Sequence, residues 1–251
     1  MKLFKLLVSL AAYFIFFPYI SVCGEEPLVE KKKAKPVSAF ESSIQSFEKE
    51  DKKRKPPSDA IVFVGSSTIR FWKTINEDLA PLTIISRGFG GSQMADVLQY
   101  VDRIIIPYKP RAVVIYEGPN DIEKKVSPAK IAESFRLIAE KIHKELPETR
   151  IYIISIGPNI RLWSLWKIME ETNKLIEEEC SKDKLLVFIK TSSSLFDSNG
   201  KPQKDLFQGD GRHLSSKGYI AWSNILKPIL LNNELPFEPK KIEDKKEDPK
   251  K

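Results

Sequence analysis

The sequence predicts an α/β protein: one parallel β-sheet covered by helices on both faces. Two observations carry this. Short apolar segments rich in β-branched and aromatic residues recur at 60–64, 83–86, 112–116, 151–155 and 185–189, and segments of helical periodicity separate them. Strands alternating with helices pair in parallel, and a parallel sheet needs cover on both faces. A third observation concerns the ends of the strands. A serine and an asparagine stand at the ends of the first and third segments, and an aspartate and a histidine come after the fifth, at the edge where open α/β sheets hold their ligands.

Taken in order, residues 38–53 place Phe40, Ile44 and Phe47 at helical spacing, and Lys55-Pro56-Pro57-Ser58 breaks that helix before the first strand. The first strand runs into Gly65-Ser66-Ser67, the second into Arg87-Gly88-Phe89-Gly90-Gly91-Ser92 and the third into Glu117-Gly118-Pro119-Asn120-Asp121. A helix opening at Ser92 turns Val97, Leu98, Val101 and Ile105 inward. Over 128–146, Ser127 suits an N-cap, Pro128 the first helical position, and Ile131, Phe135, Ile138 and Ile142 make one apolar face ended by Pro147. A long helix follows over about 162–182, and a closing one over 218–231 carries Tyr219, Trp222 and Ile225 on one side.

The folded domain is read as 37–236, flanked by segments of different composition. Met1-Lys2-Leu3-Phe4-Lys5 and the apolar run 6–20 have the charged and hydrophobic regions of a secretory signal, which predicts export. Ile20-Ser21-Val22-Cys23 resembles a relaxed bacterial lipobox, which would make Cys23 the lipidated first residue of an envelope lipoprotein attached to the membrane. A cut after Gly24, or an uncleaved anchor, are the competing readings. Residues 24–36 read as a charged linker and 237–251 as a charged, disordered tail. Lysines crowd into 31–55 and 240–251, so the net charge of +7 sits mainly outside the apolar middle. That middle has no basic stripe interleaved with aromatics, which argues against a nucleic-acid partner.

Only two cysteines are present, Cys23 and Cys180, so there is no disulfide framework, and Cys180 is expected as a buried apolar residue. Two histidines and two cysteines are too few for an ordinary transition-metal site, and no cofactor is expected. His143, among Lys141, Lys144 and Glu145, is expected at the solvent-facing end of a helix. His213 is left for the rim.

Acyl transfer needs a nucleophile, a base, a group that orients the base, and donors aimed at the developing oxyanion. The strand ends offer each. Ser67 stands where the first strand stops, a position that suits a nucleophile, although serine there can also cap the next helix. Asp210 and His213, three residues apart, can set a carboxylate on one imidazole nitrogen and leave the other facing Ser67. The N–H groups of Ser67 and Gly91 and the side-chain amide of Asn120 can form an oxyanion hole. Asp121 is expected to brace the loop holding Asn120. Arg161 and Trp163 are candidates for substrate contact, with Trp72 and Trp166 as further groove candidates. A surface ion pair and ordinary core packing are the competing readings.

Gly65-Ser66-Ser67, Gly90-Gly91, Gly118-Pro119-Asn120-Asp121 and Asp210-Gly211-Arg212-His213, in this order, resemble the four sequence blocks of the SGNH hydrolases, or GDSL esterases and lipases. The resemblance spans about 60–231. It implies a flavodoxin-like three-layer sandwich with a five-stranded parallel sheet in the order 2-1-3-4-5. It also implies Ser67 as nucleophile, Gly91 and Asn120 as oxyanion donors, Asp210 and His213 completing the triad, and metal-independent hydrolysis of carboxylic esters. Two positions depart from the pattern: Ser66 stands where an aspartate is usual, a variation tolerated in a subset resembling platelet-activating-factor acetylhydrolases and sugar acetylesterases, and Pro119, which fixes one φ and deletes a donor, stands where many members have glycine or aspartate. The substrate expected is a small-molecule or carbohydrate ester, with short acyl groups favoured. A lysophospholipase-type lipase and an inactive envelope-binding protein of the same fold are the alternatives.

Overall fold

A computed structural model describes residues 39–239. The signal, the linker and Cys23 lie outside the described residues, as does the tail beyond 239. Contacts along the chain separate Met1–Val37 from a unit that begins at Ser38, and the second is described here.

Five strands, β1 (Ile61–Gly65), β2 (Ile84–Gly88), β3 (Ala112–Tyr116), β4 (Arg150–Ile154) and β5 (Leu186–Ile189), form one sheet. Their order is β2-β1-β3-β4-β5 and every pairing is parallel. The helices are α1 (Glu41–Lys53), α2 (Ser67–Phe71), α3 (Ile75–Asp78), α4 (Met94–Ile104), α5 (Pro119–Glu123), α6 (Pro128–Glu145), α7 (Trp166–Cys180) and α8 (Ser216–Glu234). Among the described residues no helix is long and apolar enough to cross a membrane.

Because strand side chains alternate between faces, each strand contributes to two cores. Val62, Val64, Val113, Ile115, Ile151 and Ile153 pack with α1, α4, α6 and α7. Ile61, Phe63, Val114, Tyr116, Tyr152 and Ile154 pack with α2, α3 and α8. This is the sandwich that the alternation predicts. Phe40 and Phe47 pack half-buried against the first core, and Ile44 is fully buried there. Ser127 accepts the Lys130 N–H to cap α6. Cys180 is buried at the end of α7, and burial pushes its thiol up to about 12.

Several boundaries differ from the sequence reading. The second strand runs on through Arg87 and Gly88, which pair with Val64 and Gly65. Arg87 therefore belongs to the sheet and not to the following loop. Its charge is absorbed by Asp51 of α1 at 2.5 Å, while its Nε donates to the Tyr108 hydroxyl at 2.7 Å. The helix expected from Ser92 starts at Met94, where Gln93 and Asp96 form a capping box. The helix expected from 162 begins with a 3-10 turn, Trp163–Leu165, before α7. The domain also reaches past 236: the Glu238 carboxylate accepts the Thr83 backbone N–H at 2.8 Å and pairs with Arg111, fastening 237–239 to the base of the sheet.

That base carries a buried charge network. Glu234 is fully buried and accepts from Arg150 at 2.5 and 2.7 Å and from the Tyr152 hydroxyl at 2.5 Å. Burial, reinforced by the Glu234 charge, pushes the Tyr152 hydroxyl above its ordinary range. His143 is half-buried here and not solvent-facing. Its Nε2 lies 3.0 Å from the Thr149 carbonyl, and its Nδ1 lies 3.5 Å from Asp183.

Candidate active site

Ser67 opens α2 immediately after β1, with only Ser66 between them. The placement follows from the end of the strand and from close packing behind it. A side chain on Gly88 would put its Cβ 2.3 Å from the Arg70 backbone nitrogen, so glycine at the end of β2 is what lets α2 lie against the sheet. On the other side, the buried Tyr219 hydroxyl donates to the Thr68 carbonyl at 2.8 Å and ties α2 to α8. Ser66 is the N-cap residue and is almost fully buried, and α2 has no side-chain cap. The helix-cap reading of Ser67 therefore does not describe it: its Oγ lies 2.8 Å from Nε2 of His213.

His213 sits on the turn that precedes α8. Asp210 organises that turn with one oxygen, which accepts the backbone N–H groups of Arg212 and His213 at 2.9 and 3.0 Å. Its other oxygen meets Nδ1 of His213 at 2.5 Å. Burial alone would raise the Asp210 carboxyl, but those two N–H groups and the imidazole outweigh it and hold it down at about 2. An ionised Asp210 only accepts, so Nδ1 of the neutral ring carries the proton and Nε2 presents its lone pair to Ser67. Phe71 packs edge-on against the same ring, with centroids 5.0 Å apart.

Asn120, buried in the first turn of α5, is held by both ends of its amide. Nδ2 donates to the Ser92 carbonyl at 2.7 Å, and Oδ1 accepts from Arg212. The amide orientation is thereby fixed, with one of the two Nδ2 hydrogens left for a ligand. Asp121 braces this loop as expected. Its carboxylate accepts the Met94 N–H at 3.1 and 3.2 Å, joining α5 to the start of α4. Burial pushes Asp121 up to about 6, although the Met94 N–H works against the rise. Behind Ser92, its hydroxyl donates to Glu117 at 2.5 Å. Glu117 is fully buried, and desolvation raises its carboxyl well above the ordinary range. Gly91 adopts a φ of +87°, and no protein atom would lie within 4 Å of a Cβ there, so its backbone is open to a ligand.

Other candidates fall elsewhere. Trp72 is 2% exposed and stacks on Tyr219, which makes it core and not groove. Trp163 and Trp166 stack on each other with Phe196 against both, and Lys201 lies over Trp163. No described contact joins Trp163 to Ser67 or His213. Arg161 pairs with Glu123 at 3.2 Å, which fits the surface ion-pair reading. Glu123 also takes Arg212 at 2.5 Å. Sequence reasoning assigns no site role to Arg212, Ser92 or Glu117. Arg212 stands inside the fourth block, directly before His213, and that adjacency is the one available signal. Among the described residues no cluster of three or more His, Cys, Asp or Glu is arranged to hold a metal ion.

Residues 64–221 match the profile of the GDSL-like lipase/acylhydrolase family. The chain belongs to that family. A sequence comparison with curated proteins found no match. Solved structures of similar fold include a protein from Streptococcus pneumoniae described as a platelet activating factor (24% identity, TM-score 0.68, 75% of this chain and 92% of that one). A GDSL-like lipase from Bacteroides thetaiotaomicron aligns at 18% identity and a TM-score of 0.63, covering 75% of this chain and 97% of the other. A family 3 carbohydrate esterase from Clostridium thermocellum aligns at 17% and 0.60, over 73% and 100%. The GDSL membership makes the chain an ester hydrolase by family, and its sheet order is the family's own.

Proposed function

We propose that the protein is an exported serine esterase that cleaves short-chain carboxylic esters, acetyl esters foremost, of carbohydrates or envelope molecules, through an acyl-enzyme. The observation that carries the chemistry is the continuous hydrogen-bonded chain from Ser67 through His213 to Asp210, 2.8 and 2.5 Å long in its two links. Ser67 Oγ attacks the ester carbonyl while Nε2 of His213 takes the hydroxyl proton. Asp210 orients the ring and stabilises the imidazolium. The oxyanion is met by the N–H groups of Ser67 and Gly91 and the remaining Nδ2 hydrogen of Asn120. As the tetrahedral intermediate collapses, the bond to the alcohol oxygen breaks and Nε2 returns its proton to that oxygen. Water then attacks the acyl group, gives a proton to Nε2, and releases the acid as Ser67 recovers its hydrogen.

The short-acyl reading is supported by the connections around the site. One residue separates β1 from α2, and Glu117 and Gly118 alone separate β3 from α5, so the connections that carry Ser67 and Asn120 have no room for an acyl-binding lid. The carbohydrate reading is supported by the fold shared with the Clostridium thermocellum carbohydrate esterase. Export rests on the signal-like first residues, and membrane attachment on lipidation of Cys23. Fatty-acid labelling lost in Cys23→Ala would establish the latter, and equal labelling of both would dismiss it. A series of p-nitrophenyl esters tests the substrate class. The expected order is acetate at or near the optimum, and an optimum at long acyl chains would move the reading to a lipase.

A further inference from the structure

We infer that Arg70 is a specificity residue and that the preferred substrates are esters carrying an anionic group close to the scissile bond. This rests on the esterase reading. Arg70 lies one helical turn after Ser67 in α2, so the two side chains share a face. A Cβ built on Gly90 would sit 3.4 Å from Nη1 of Arg70 and 3.7 Å from Cβ of Ser67, which packs the guanidinium and the serine around one point beside the candidate oxyanion loop. The residue is exposed, and among the described residues no carboxylate lies within ion-pair distance of it, although surface cations elsewhere, such as Arg136, Lys141 and Lys182, are paired.

The neighbouring rim cations are already committed. Arg161 pairs with Glu123, and Arg212 pairs with Glu123 and holds Asn120. Arg70 is the cation next to Ser67 that remains free to meet a ligand.

The space that Arg70 borders is built for a polar group. A cavity of about 420 Å³ runs from Arg70 toward α1, lined also by Lys73, Ser43, Ser46 and Asn76. Arg70, Lys73 and the hydroxyls of Ser43 and Ser46 can all donate to an anion. Glu50 is the single carboxylate on the lining, and no ion pair joins it to Arg70 or Lys73. A planar guanidinium can grip a carboxylate, sulfate or phosphate with two parallel N–H donors, which gives direction as well as charge. Phe71, next to Arg70 in the chain, 40% exposed and edge-on to the His213 ring, offers an apolar surface for the carbon skeleton that joins the anion to the ester.

The test compares matched ester pairs on the full chain. Mono-p-nitrophenyl succinate against p-nitrophenyl butyrate places the charge on the acyl side. 4-Acetoxybenzoate against 4-acetoxybenzamide places it on the alcohol side. Each kcat/KM is divided by the rate of alkaline hydrolysis of the same ester, and Ser67→Ala gives the background. The expected result is a preference for the anionic member of at least one pair of roughly 10-fold to 100-fold, the range for a charge-assisted contact. Arg70→Gln should abolish that preference, Arg70→Glu reverse it, and Arg70→Lys retain part of it. Added salt should weaken it in the wild type. Turnover of all four esters with no anionic preference, or a preference unchanged in Arg70→Gln, would overturn the role of Arg70 and leave the esterase reading standing. No turnover above Ser67→Ala would overturn both.

Discussion

The two edges of the sheet carry similar inventories of polar groups and put them to opposite uses. At the base, Glu234 is fully buried and takes Arg150 and Tyr152, while Glu238 takes Thr83 and Arg111. Charge there is matched to charge, and a cavity of about 560 Å³ that borders Arg111 and Arg150 has no serine or histidine on its lining. At the rim, Ser67, His213 and Asp210 are linked in series, and three groups around the serine are left open: the Ser67 oxygen, an amide hydrogen on Asn120, and the Arg70 guanidinium, which has no ion-pair partner among the described residues. Displaced titration is found at both edges, in Tyr152 at the base and in Asp121 and Glu117 at the rim. What separates a structural network from a reactive one is therefore the group left without a partner, more than the extent of the displacement.

Substitutions at the two edges should break this contrast in opposite ways. The largest effect is expected at the rim. His213→Ala should lower kcat for p-nitrophenyl acetate roughly 10⁴-fold or more. Its urea-unfolding free energy should stay within about 1 kcal/mol of wild type, since the turn is held chiefly by Asp210 and backbone groups. At the base the pattern should invert. Glu234→Ala strands the buried side chains of Arg111 and Tyr152 and the half-buried Arg150, and should cost about 3–5 kcal/mol in stability. Its kcat per folded molecule should match wild type, and a loss of kcat with stability intact would contradict the division of roles.

Asn120→Ala comes next. Removal of an oxyanion donor costs about 10²–10³ in kcat. An unchanged kcat would remove Asn120 from the oxyanion hole.

The smallest effect concerns Asp121. Its folded carboxyl titrates near 6 against an ordinary 3.8, so the folded state holds the proton more tightly than the unfolded chain does. Its contribution to stability is full below about pH 4 and is lost as pH rises to about 6. Across that window it amounts to on the order of 3 kcal/mol, since each tenfold gain in proton affinity corresponds to about 1.4 kcal/mol. Asp121→Asn should flatten the stability profile between pH 4 and 6, and an unchanged slope in chemical denaturation would contradict the raised carboxyl.

The parts of the site that can be read in the sequence are those whose position depends on local chain direction. Ser67, Gly91 and Asn120 follow strand ends within a few residues, so the alternation of strands and helices brings them to one rim, whereas Asp210 and His213 share one turn far beyond β5 and are legible through the resemblance of their sequence block. Arg70 and Arg212 cannot be assigned in this way, because whether an arginine is free or paired depends on carboxylates distant in sequence, such as Glu123. Helices α2, α3 and α5 are four or five residues long, too short to show a period. The last two residues of β2 escape the sequence pattern for a related reason. Arg87 and Gly88 have no strand signature, and it is pairing with β1 and the reception of Arg87 by Asp51 and Tyr108 that make them strand.

The most direct test is hydrolysis of p-nitrophenyl acetate by the wild-type protein beside Ser67→Ala, with the acetylated residue trapped at low pH and located by mass spectrometry. Turnover by the wild type, a fall of roughly 10⁴-fold or more in the variant and an acetyl group on Ser67 are the expected results. Equal turnover by the two proteins, or acetylation at another residue, would contradict Ser67 as the nucleophile.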